Sequence, residues 1–308
     1  MEKWMMIGNP VSASATTGDA WNKSLEKLRQ AGLEVEVAAT QHAGHAIELA
    51  LKAAGDGFRK FIAAGGDGTI HEVLTGLLRF ADSSKVSLSD FTLAALPHGT
   101  GNDWIRSAGI TEPEKAADAI IAGKTGKEDV VRMTFPQGIF AMANIGGIGV
   151  DADICIRTNR LKEKGHKGGF LYTMVAPIAT LSRKRNPVVV TLDGEVAYTG
   201  KLFTATLGNG TYRGDGLIQT AQDTVWNDGL LDITLMPGYN HIKGLMLMLH
   251  CVSGDLAVQP GIITKRFKKM IVKPLGKVAD YVEVDGEIPG TLPLTMEVTG
   301  EQINIIVA

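Results

Sequence analysis

The sequence predicts two domains, an α/β N-terminal domain with a mostly parallel sheet and a predominantly antiparallel β-sandwich. Residues 1–130 alternate apolar strand-like runs with helix-like stretches, which is the pattern of successive βαβ units. After residue 130 strand-like runs dominate, and turn signals such as Asp193-Gly194 separate them. A polar segment at residues 124–128 is interpreted as the linker. The predicted domains therefore span residues 1–130 and 131–308, and 308 residues suffice for two cores.

The first domain is predicted from four apolar runs and the helical stretches between them. Gly32 ends the first helix, and Pro113 suits the first turn of the last one. In order, the predicted elements are a strand at 4–7, a helix at 18–30, a strand at 33–39, a helix at 42–54, a strand at 61–64, a strand at 91–96 and a helix at 113–122.

The second domain is predicted from short runs rich in β-branched and aromatic residues. Two helical inserts, at 168–182 and 240–253, interrupt them. The predicted strands are 129–135, 138–145, 188–192, 195–207, 230–236, 268–273, 281–284, 294–298 and 303–307, with Thr299-Gly300 as a turn before the last.

Composition excludes several classes of protein. The net charge is −2, from 31 basic and 33 acidic residues, which does not favour nucleic-acid binding. The two cysteines, Cys155 and Cys251, form neither a disulfide framework nor a metal-binding spacing, which fits a reducing cytoplasm. The N-terminus does not resemble a signal peptide. The longest apolar stretch, residues 245–252, is far shorter than the roughly 20 residues that span a bilayer.

Two basic clusters, at residues 157–167 and 265–269, leave two interpretations open. Such clusters usually form a solvated face. The alternative is a rim that faces an anionic membrane, where each cation contributes about 1 kcal/mol. The expected localisation is the cytoplasm, with peripheral membrane association in addition under the second interpretation.

Two glycine-rich segments follow predicted strands. They are Gly65-Gly66-Asp67-Gly68-Thr69 and Gly99-Thr100-Gly101-Asn102-Asp103. Glycine loops at the carboxyl ends of neighbouring strands form a crevice lined with backbone N–H groups, which suits a polyphosphate. A carboxylate in each loop would repel phosphates, so Asp67 and Asp103 indicate Mg²⁺ or a hydroxyl awaiting deprotonation. The alternatives are a tight turn with Thr69 as N-cap, and Asn102 or Asp103 capping a short helix.

These loops carry a resemblance to a known family. The segments Gly65–Val73 and Leu96–Asp103, within a layout running from Asn9-Pro10 to Asp285-Gly286-Glu287, resemble the diacylglycerol kinase catalytic family of bacterial soluble lipid kinases. This family belongs to the superfamily of NAD kinases and diacylglycerol kinases. The Gly-Gly-Asp-Gly loop alone is shared with NAD kinases and phosphofructokinases. The second loop and the late Asp-Gly-Glu, in this order, make the match specific.

The resemblance implies a site for ATP in the first domain, with the nucleotide in a cleft between the domains. Asp67 would lie near the transferring phosphoryl group, and Asp103 near the acceptor through metal or water. Asn9 could instead serve a turn before Pro10, Thr40 could cap a helix, and Glu72 could simply favour the helix dipole. The implied nucleotide contacts are Asn9, Thr40, Gly65, Gly66, Asp67, Gly68, Thr69, His71, Glu72, Gly99 and Thr100.

The resemblance also implies an acid–base element at Asp285-Gly286-Glu287. Asp285 would take the proton of the lipid hydroxyl, and Glu287 would hold metal or orient Asp285. With Asp67 and Asp103 they form the predicted catalytic set. The alternative is a type I′ hairpin turn, for which Asp-Gly is a common sequence.

A structural Mg²⁺, separate from the one that accompanies ATP, is implied at Asp228. Its ligands would be the Asp228 carboxylate and the backbone carbonyls of Val225 and Leu230, since oxygen ligands suit Mg²⁺. The alternative is a turn leading into a strand.

The leading hypothesis is an ATP- and Mg²⁺-dependent kinase that phosphorylates a hydroxyl of diacylglycerol or a related neutral lipid. An NAD kinase is the nearest alternative, and a catalytically inactive nucleotide-binding regulator is the second. The expected partners are a neutral lipid substrate and a transiently contacted membrane surface, with no nucleic acid; a homodimer is left open. Asp215, which stands where relatives often have glycine, leaves the acceptor lipid open.

Overall fold

The structure is a computed structural model that describes residues 3–9, 15–99, 101–166, 170–214, 216–218 and 225–308. It separates into two compact units, residues 1–130 with 300–308, and residues 131–299. The first unit has a parallel sheet with helices and the second is an antiparallel β-sandwich, which confirms the predicted fold class.

The first unit contains a parallel sheet in the order β2-β1-β3-β4. Its central strand β3 has a run of four fully apolar, buried residues, as expected for a parallel strand covered on both faces. In chain order, the elements are β1 (Lys3–Gly8), α1 (Ala15–Gln30), β2 (Glu34–Ala39), α2 (His45–Gly55), β3 (Lys60–Gly65), α3 (Asp67–Ser83), β4 (Thr92–Pro97), α4 (Asp103–Ser107) and α5 (Ala116–Ala122).

The second unit is built from antiparallel pairs, and a single long strand, β9, joins its two sheets. The first half of β9 pairs with β8, and its second half pairs with β7 and β12. The elements are β5 (Thr125–Phe135, which starts in the first unit), β6 (Gly138–Met142), β7 (Ile145–Gly149), α6 (Val150–Glu163), α7 (Phe170–Ser182), β8 (Pro187–Leu192), β9 (Glu195–Gly208), β10 (Tyr212–Arg213), β11 (Leu217–Ile218), β12 (Leu231–Pro237), α8 (His241–Ser253), β13 (Ile263–Phe267), β14 (Lys269–Pro274), β15 (Tyr281–Val284), β16 (Glu287–Thr291) and β17 (Leu294–Ile306).

The last strand differs from the sequence interpretation. Thr299-Gly300 is not a turn between two strands, because β17 is continuous. Its end pairs in parallel with β4, with Asn304 opposite Thr92, and Ile305 is fully buried. Residues 300–308 therefore belong to the first unit, whereas the sequence interpretation assigned them to the second domain.

The segment at residues 124–128 is also not a linker. Most of it forms the start of β5, and Glu128 is fully buried and accepts a hydrogen bond from Trp104 Nε1 at 3.0 Å. Its polarity suggested solvent exposure, but a tertiary partner satisfies the buried carboxylate.

Two further differences lie near residue 150. The strand predicted at 138–145 is two strands, β6 and β7, because the chain breaks pairing at Ala143 and Asn144. The helix α6 was not predicted. Its buried face carries small and polar residues such as Asp151, Ala152 and Thr158, so it lacks a wide apolar stripe. Among the described residues, no helix is long and apolar enough to cross a membrane.

Candidate functional site

The carboxyl ends of β1 to β4 meet at one edge of the first unit's sheet. The Thr40 N–H donates to the Gly8 carbonyl at 2.8 Å, which places the end of β2 beside Asn9. The His98 N–H donates to the Gly65 carbonyl at 2.9 Å, which joins the ends of β3 and β4. The predicted residues Asn9, Thr40 and Gly65 therefore share the edge where parallel sheets bind ligands.

The two glycine loops touch through their backbones. A Cβ atom on Gly99 would lie 2.5 Å from the Cα of Gly66, and one on Gly66 would lie 3.1 Å from the Cα of Gly99. Any side chain at Gly99 would push the loops apart, so glycine is required here by close approach rather than by backbone angle. Both loops thus form one surface of bare backbone.

The carboxylate of Asp67 joins the second loop to the first. It accepts hydrogen bonds from the N–H groups of Asp103 at 3.2 Å and Trp104 at 3.0 Å, in the first turn of α4. The cap of this helix thus comes from the other loop. Asn102 instead braces its own loop, with its side-chain amide paired to the N–H and carbonyl of Gly99 at 3.2 and 3.0 Å.

Asp67 and Asp103 lie close together. A Cβ atom on Gly101 would be 3.3 Å from a carboxylate oxygen of each. Asp103 is buried and pairs with Arg106 at 3.1 Å, which offsets part of the local negative charge. Asp67 and Asp103 thus bring two carboxylates beside a surface of bare backbone, and carboxylate oxygens are the kind of ligand that suits a divalent cation such as Mg²⁺.

The remaining predicted contacts of the first unit are distributed over α3 and the second loop. Gly68 and Thr69 lie in the first turn of α3, and the Thr69 side chain covers Gly65. His71 is buried within the unit. Glu72 accepts hydrogen bonds from the N–H groups of Gly44 at 2.8 Å and Ala46 at 3.0 Å, so it anchors the start of α2. Thr100 lies outside the described residues, as does Asp215.

In the second unit, Asp285-Gly286 forms a two-residue hairpin turn between β15 and β16. Both residues have positive φ, 49° and 88°, as a type I′ turn requires. The Asp285 side chain is buried and accepts three backbone hydrogen bonds, from Ala143 and Asn144 at 2.8 Å and from Ile145 at 2.9 Å. Such contacts fix the carboxylate in place, which an ordinary surface turn does not need.

The segment that holds Asp285 is itself supported by polar groups that sequence reasoning missed. The Asn144 side chain donates to the Tyr212 carbonyl at 2.8 Å, and the Asn209 side chain donates to the Ala143 carbonyl at 3.0 Å. Asn144 and Asn209 are almost fully buried. For Asn144 and Asn209 the available signal in the sequence was an asparagine at the end of an apolar, glycine-containing strand.

Comparisons with known proteins decide the family. The model described as the diacylglycerol kinase catalytic domain matches residues 3–133, and the YegS C-terminal NAD kinase beta sandwich-like domain matches residues 145–307. The chain belongs to the diacylglycerol kinase and YegS-like lipid kinase family. It is a kinase of this class.

Relatives of this kinase family align along nearly the whole chain. A diacylglycerol kinase of Bacillus subtilis is 29% identical over 99% of this chain and 94% of its own length. A Xanthomonas campestris protein named "Probable lipid kinase YegS-like" is 27% identical over 97% of this chain and 89% of its own length. The crystal structure of a Bacillus anthracis diacylglycerol kinase has a TM-score of 0.71 at 22% identity and covers 100% of this chain and 97% of that chain. The last comparison shows a shared fold.

The proposed structural metal site of this kinase holds an arginine. Arg266 pairs with the Asp228 carboxylate at 2.6 Å, and the other carboxylate oxygen accepts the Leu230 N–H at 3.1 Å. Arg266 also lies 3.4 Å from Asp232. In this arrangement Arg266 supplies the positive charge beside the Asp228 carboxylate, and the metal site implied by the resemblance stays a prediction. Val225 is exposed and Leu230 is partly exposed.

We expect added Mg²⁺, without nucleotide, to leave the melting temperature of the wild-type kinase nearly unchanged. In Arg266→Ala the Asp228 carboxylate loses its cation, and Mg²⁺ should then raise the melting temperature, since a ligand that binds only the folded state stabilises it. The double variant Arg266→Ala, Asp228→Asn is the control and should not respond. A wild-type Mg²⁺ response that Asp228→Asn abolishes would instead support the metal site implied by the resemblance.

Proposed function

We propose that this protein is an ATP- and Mg²⁺-dependent lipid kinase that phosphorylates a hydroxyl of diacylglycerol or a related neutral lipid. One observation carries the proposal. Gly66 and Gly99 are in backbone contact, and this contact brings both glycine loops and the carboxylates of Asp67 and Asp103 to the ends of neighbouring parallel strands. Few other ligands need bare backbone and paired carboxylates together.

The nucleotide phosphates would bind at the start of α3. This helix has 17 residues, and its first backbone N–H groups and dipole favour an anion at Gly66 to Gly68. Mg²⁺ bound with ATP would bridge phosphate oxygens and neutralise developing charge. Asp67 and Asp103 are the residues that would hold it. Asn9 and Thr40 would contact the nucleotide at the neighbouring strand ends.

Asp285 would be the general base and Glu287 its exposed neighbour in the turn. Phosphoryl transfer depends mainly on positioning and charge stabilisation, so the base must be fixed rather than mobile. The three backbone hydrogen bonds to Asp285 supply this fixation. Asp285 would accept the proton of the lipid hydroxyl as its oxygen attacks the γ-phosphorus.

An exposed apolar surface supports a lipid as the acceptor. On α7, Ile178 is 57% exposed, and on α8, Ile242 and Leu249 are 68% and 67% exposed. The two helices are in contact, with His241 of α8 3.1 Å from the Thr180 carbonyl of α7. The apolar face of α7 and α8 consists of Met174, Ile178, Leu181, Ile242, Met246 and Leu249. Exposed apolar side chains grouped on two neighbouring helices are typical of a binding surface.

Basic residues border this apolar face. Lys184 follows α7, Lys243 lies on α8, and Arg157 of α6 donates to Ser182 at the end of α7 at 2.8 Å. All three are exposed. An apolar face with a cationic border is the pattern of a surface that enters an anionic bilayer. By contrast, the 265–269 cluster pairs with acidic groups, Lys269 with Glu297 at 2.7 Å among them, and so favours the solvated-face interpretation.

The apolar face predicts where membrane binding is lost. Ile242→Gln with Leu249→Gln should lower the fraction of protein that sediments with anionic vesicles more than tenfold, because burial of each such side chain contributes about 1.5–3 kcal/mol. Turnover of a soluble short-chain diacylglycerol should be unchanged. Val196→Gln, at a residue 65% exposed on β9, is the matched control. Unchanged sedimentation of the double variant would exclude this face.

The proposed function is tested by a panel of acceptors. Purified protein is supplied with γ-labelled ATP and Mg²⁺, and separately with diacylglycerol, monoacylglycerol, ceramide and NAD. Label in a neutral glycerolipid is expected. Label in NAD would favour an NAD kinase, and ATP binding without transfer to any acceptor would favour an inactive regulator.

A further inference from the structure

A buried glutamate that the mechanism does not use lies two residues before the predicted base. Glu283 of β15 is 3% exposed, and its Oε1 accepts a hydrogen bond from the Gly286 N–H at 2.7 Å. Its Oε2 has no hydrogen-bond partner among the described residues. Because the Gly286 N–H belongs to the two-residue turn itself, Glu283 holds the backbone that carries Asp285 and Glu287.

The next peptide group of the turn, between Gly286 and Glu287, is held by α6. The Gly286 carbonyl accepts hydrogen bonds from Asn159 Nδ2 at 3.0 Å and from Cys155 Sγ at 3.1 Å. Burial raises the pKa of Cys155 well above its usual value, so it remains a thiol that can donate. The turn is therefore held by three sets of hydrogen bonds, to the Gly286 N–H, to the Gly286 carbonyl and to the Asp285 carboxylate.

The charges around Glu283 are mixed. Asp151 and Asp285 are acidic neighbours, and Arg213 is a basic one that pairs with Asp151 at 3.1 Å. Burial is the main cause that raises the pKa of Glu283 to about 8, and Arg213 and the Gly286 N–H lower it only partly. The protonated form of the side chain is therefore favoured at neutral pH, and its ionisation would place a further negative charge beside Asp285.

We propose that Glu283 is a positioning residue for the Asp285-Gly286-Glu287 turn, through the hydrogen bond that its side chain accepts from the Gly286 N–H. The proposal rests on the proposed function for its kinetic consequences, but the contact itself does not. Glutamine reproduces the shape and the accepting oxygen of the neutral acid. Leucine removes the acceptor and keeps the site apolar.

The test compares Glu283→Gln with Glu283→Leu. Glu283→Leu should lower kcat about tenfold or more and leave KM for ATP within twofold, whereas Glu283→Gln should keep kcat within threefold of wild type. Wild-type kcat should fall as the pH rises through about 8, because ionised Glu283 would be repelled by Asp285 and Asp151 and the turn would be displaced, and Glu283→Gln should lack this fall. Equal loss in both variants, or an identical alkaline limb in wild type and Glu283→Gln, would overturn the proposal.

Hydrogen exchange of the turn separates this proposal from the proposed function. Peptides that cover residues 283–291 should lose amide protection in Glu283→Leu and keep it in Glu283→Gln, whatever substrate the protein uses. If the wild type phosphorylates no lipid but this contrast appears, the proposed function fails and the positioning role stands. If protection is the same in all three proteins, the positioning role fails even when lipid phosphorylation is found.

Discussion

Asp285→Asn is expected to lower turnover roughly 10²-fold or more, because an amide cannot accept the proton of the acceptor hydroxyl. The KM for ATP should change little. The substitution is not silent for folding. Asp285 oxygens accept three backbone N–H groups, and an amide nitrogen must face at least one of them. We therefore also expect a loss of about 1–3 kcal/mol in the free energy of unfolding.

The chain offers a matched control for this loss. Asp193-Gly194 is a second Asp-Gly hairpin turn in the same unit, with φ of 48° and 90°. Asp193 likewise accepts backbone hydrogen bonds, from Lys268 at 3.0 Å and Lys269 at 2.8 Å. Asp193→Asn should keep turnover within about twofold of wild type. The kinetics are measured well below the melting temperatures of both variants. Near-normal turnover of Asp285→Asn would exclude Asp285 as the base.

Gly99→Ala is expected to abolish measurable ATP binding while the protein stays folded. The new Cβ would lie 2.5 Å from the Gly66 Cα, so the two glycine loops must separate. The phosphates would then lose a surface that depends on both loops. Calorimetric titration with ATP and Mg²⁺ measures the effect.

Gly55→Ala is the control for a glycine without such crowding. Gly55 ends α2, and a Cβ there would meet only Phe80, at an ordinary 3.7 Å. This variant should bind ATP as the wild type does and should be at least as stable, since alanine favours a helix over glycine. Wild-type affinity in Gly99→Ala would show that the contact between the loops does not form the phosphate site.

The fold class was predictable because the hydrophobic patterns of helices and of strands are both local features of the sequence. Buried parallel strands such as β3 are continuous apolar runs, and the glycine loops follow them directly. Where the structure differs from the sequence interpretation, a contact with a distant residue is the reason. Glu128 was interpreted as part of a polar linker, but it accepts a hydrogen bond from Trp104. Residues 300–308 return to the first unit because they pair with β4.

Contacts between residues far apart in the sequence also limited how much of the site could be predicted. The motif positions of Asp67 and Asp285 were apparent in the sequence. Their hydrogen-bond partners were not, because those of Asp67 lie 36 or more residues away and those of Asp285 lie 140 or more residues away. Glu72 was expected at the nucleotide, yet its carboxylate anchors α2, and that nucleotide contact stays a prediction. Glu283 was not singled out at all, because a buried glutamate in a strand shows its role only through the Gly286 N–H.

The proposed reaction transfers the γ-phosphoryl group of ATP to a lipid hydroxyl. The most direct measurement offers two acceptors in one reaction, diacylglycerol in anionic vesicles and NAD at equal concentration, with γ-labelled ATP and Mg²⁺. Label is expected in the phosphate monoester of diacylglycerol, with one ADP formed for each lipid phosphorylated. Label in NAD, or ADP formation without labelled lipid, would contradict it.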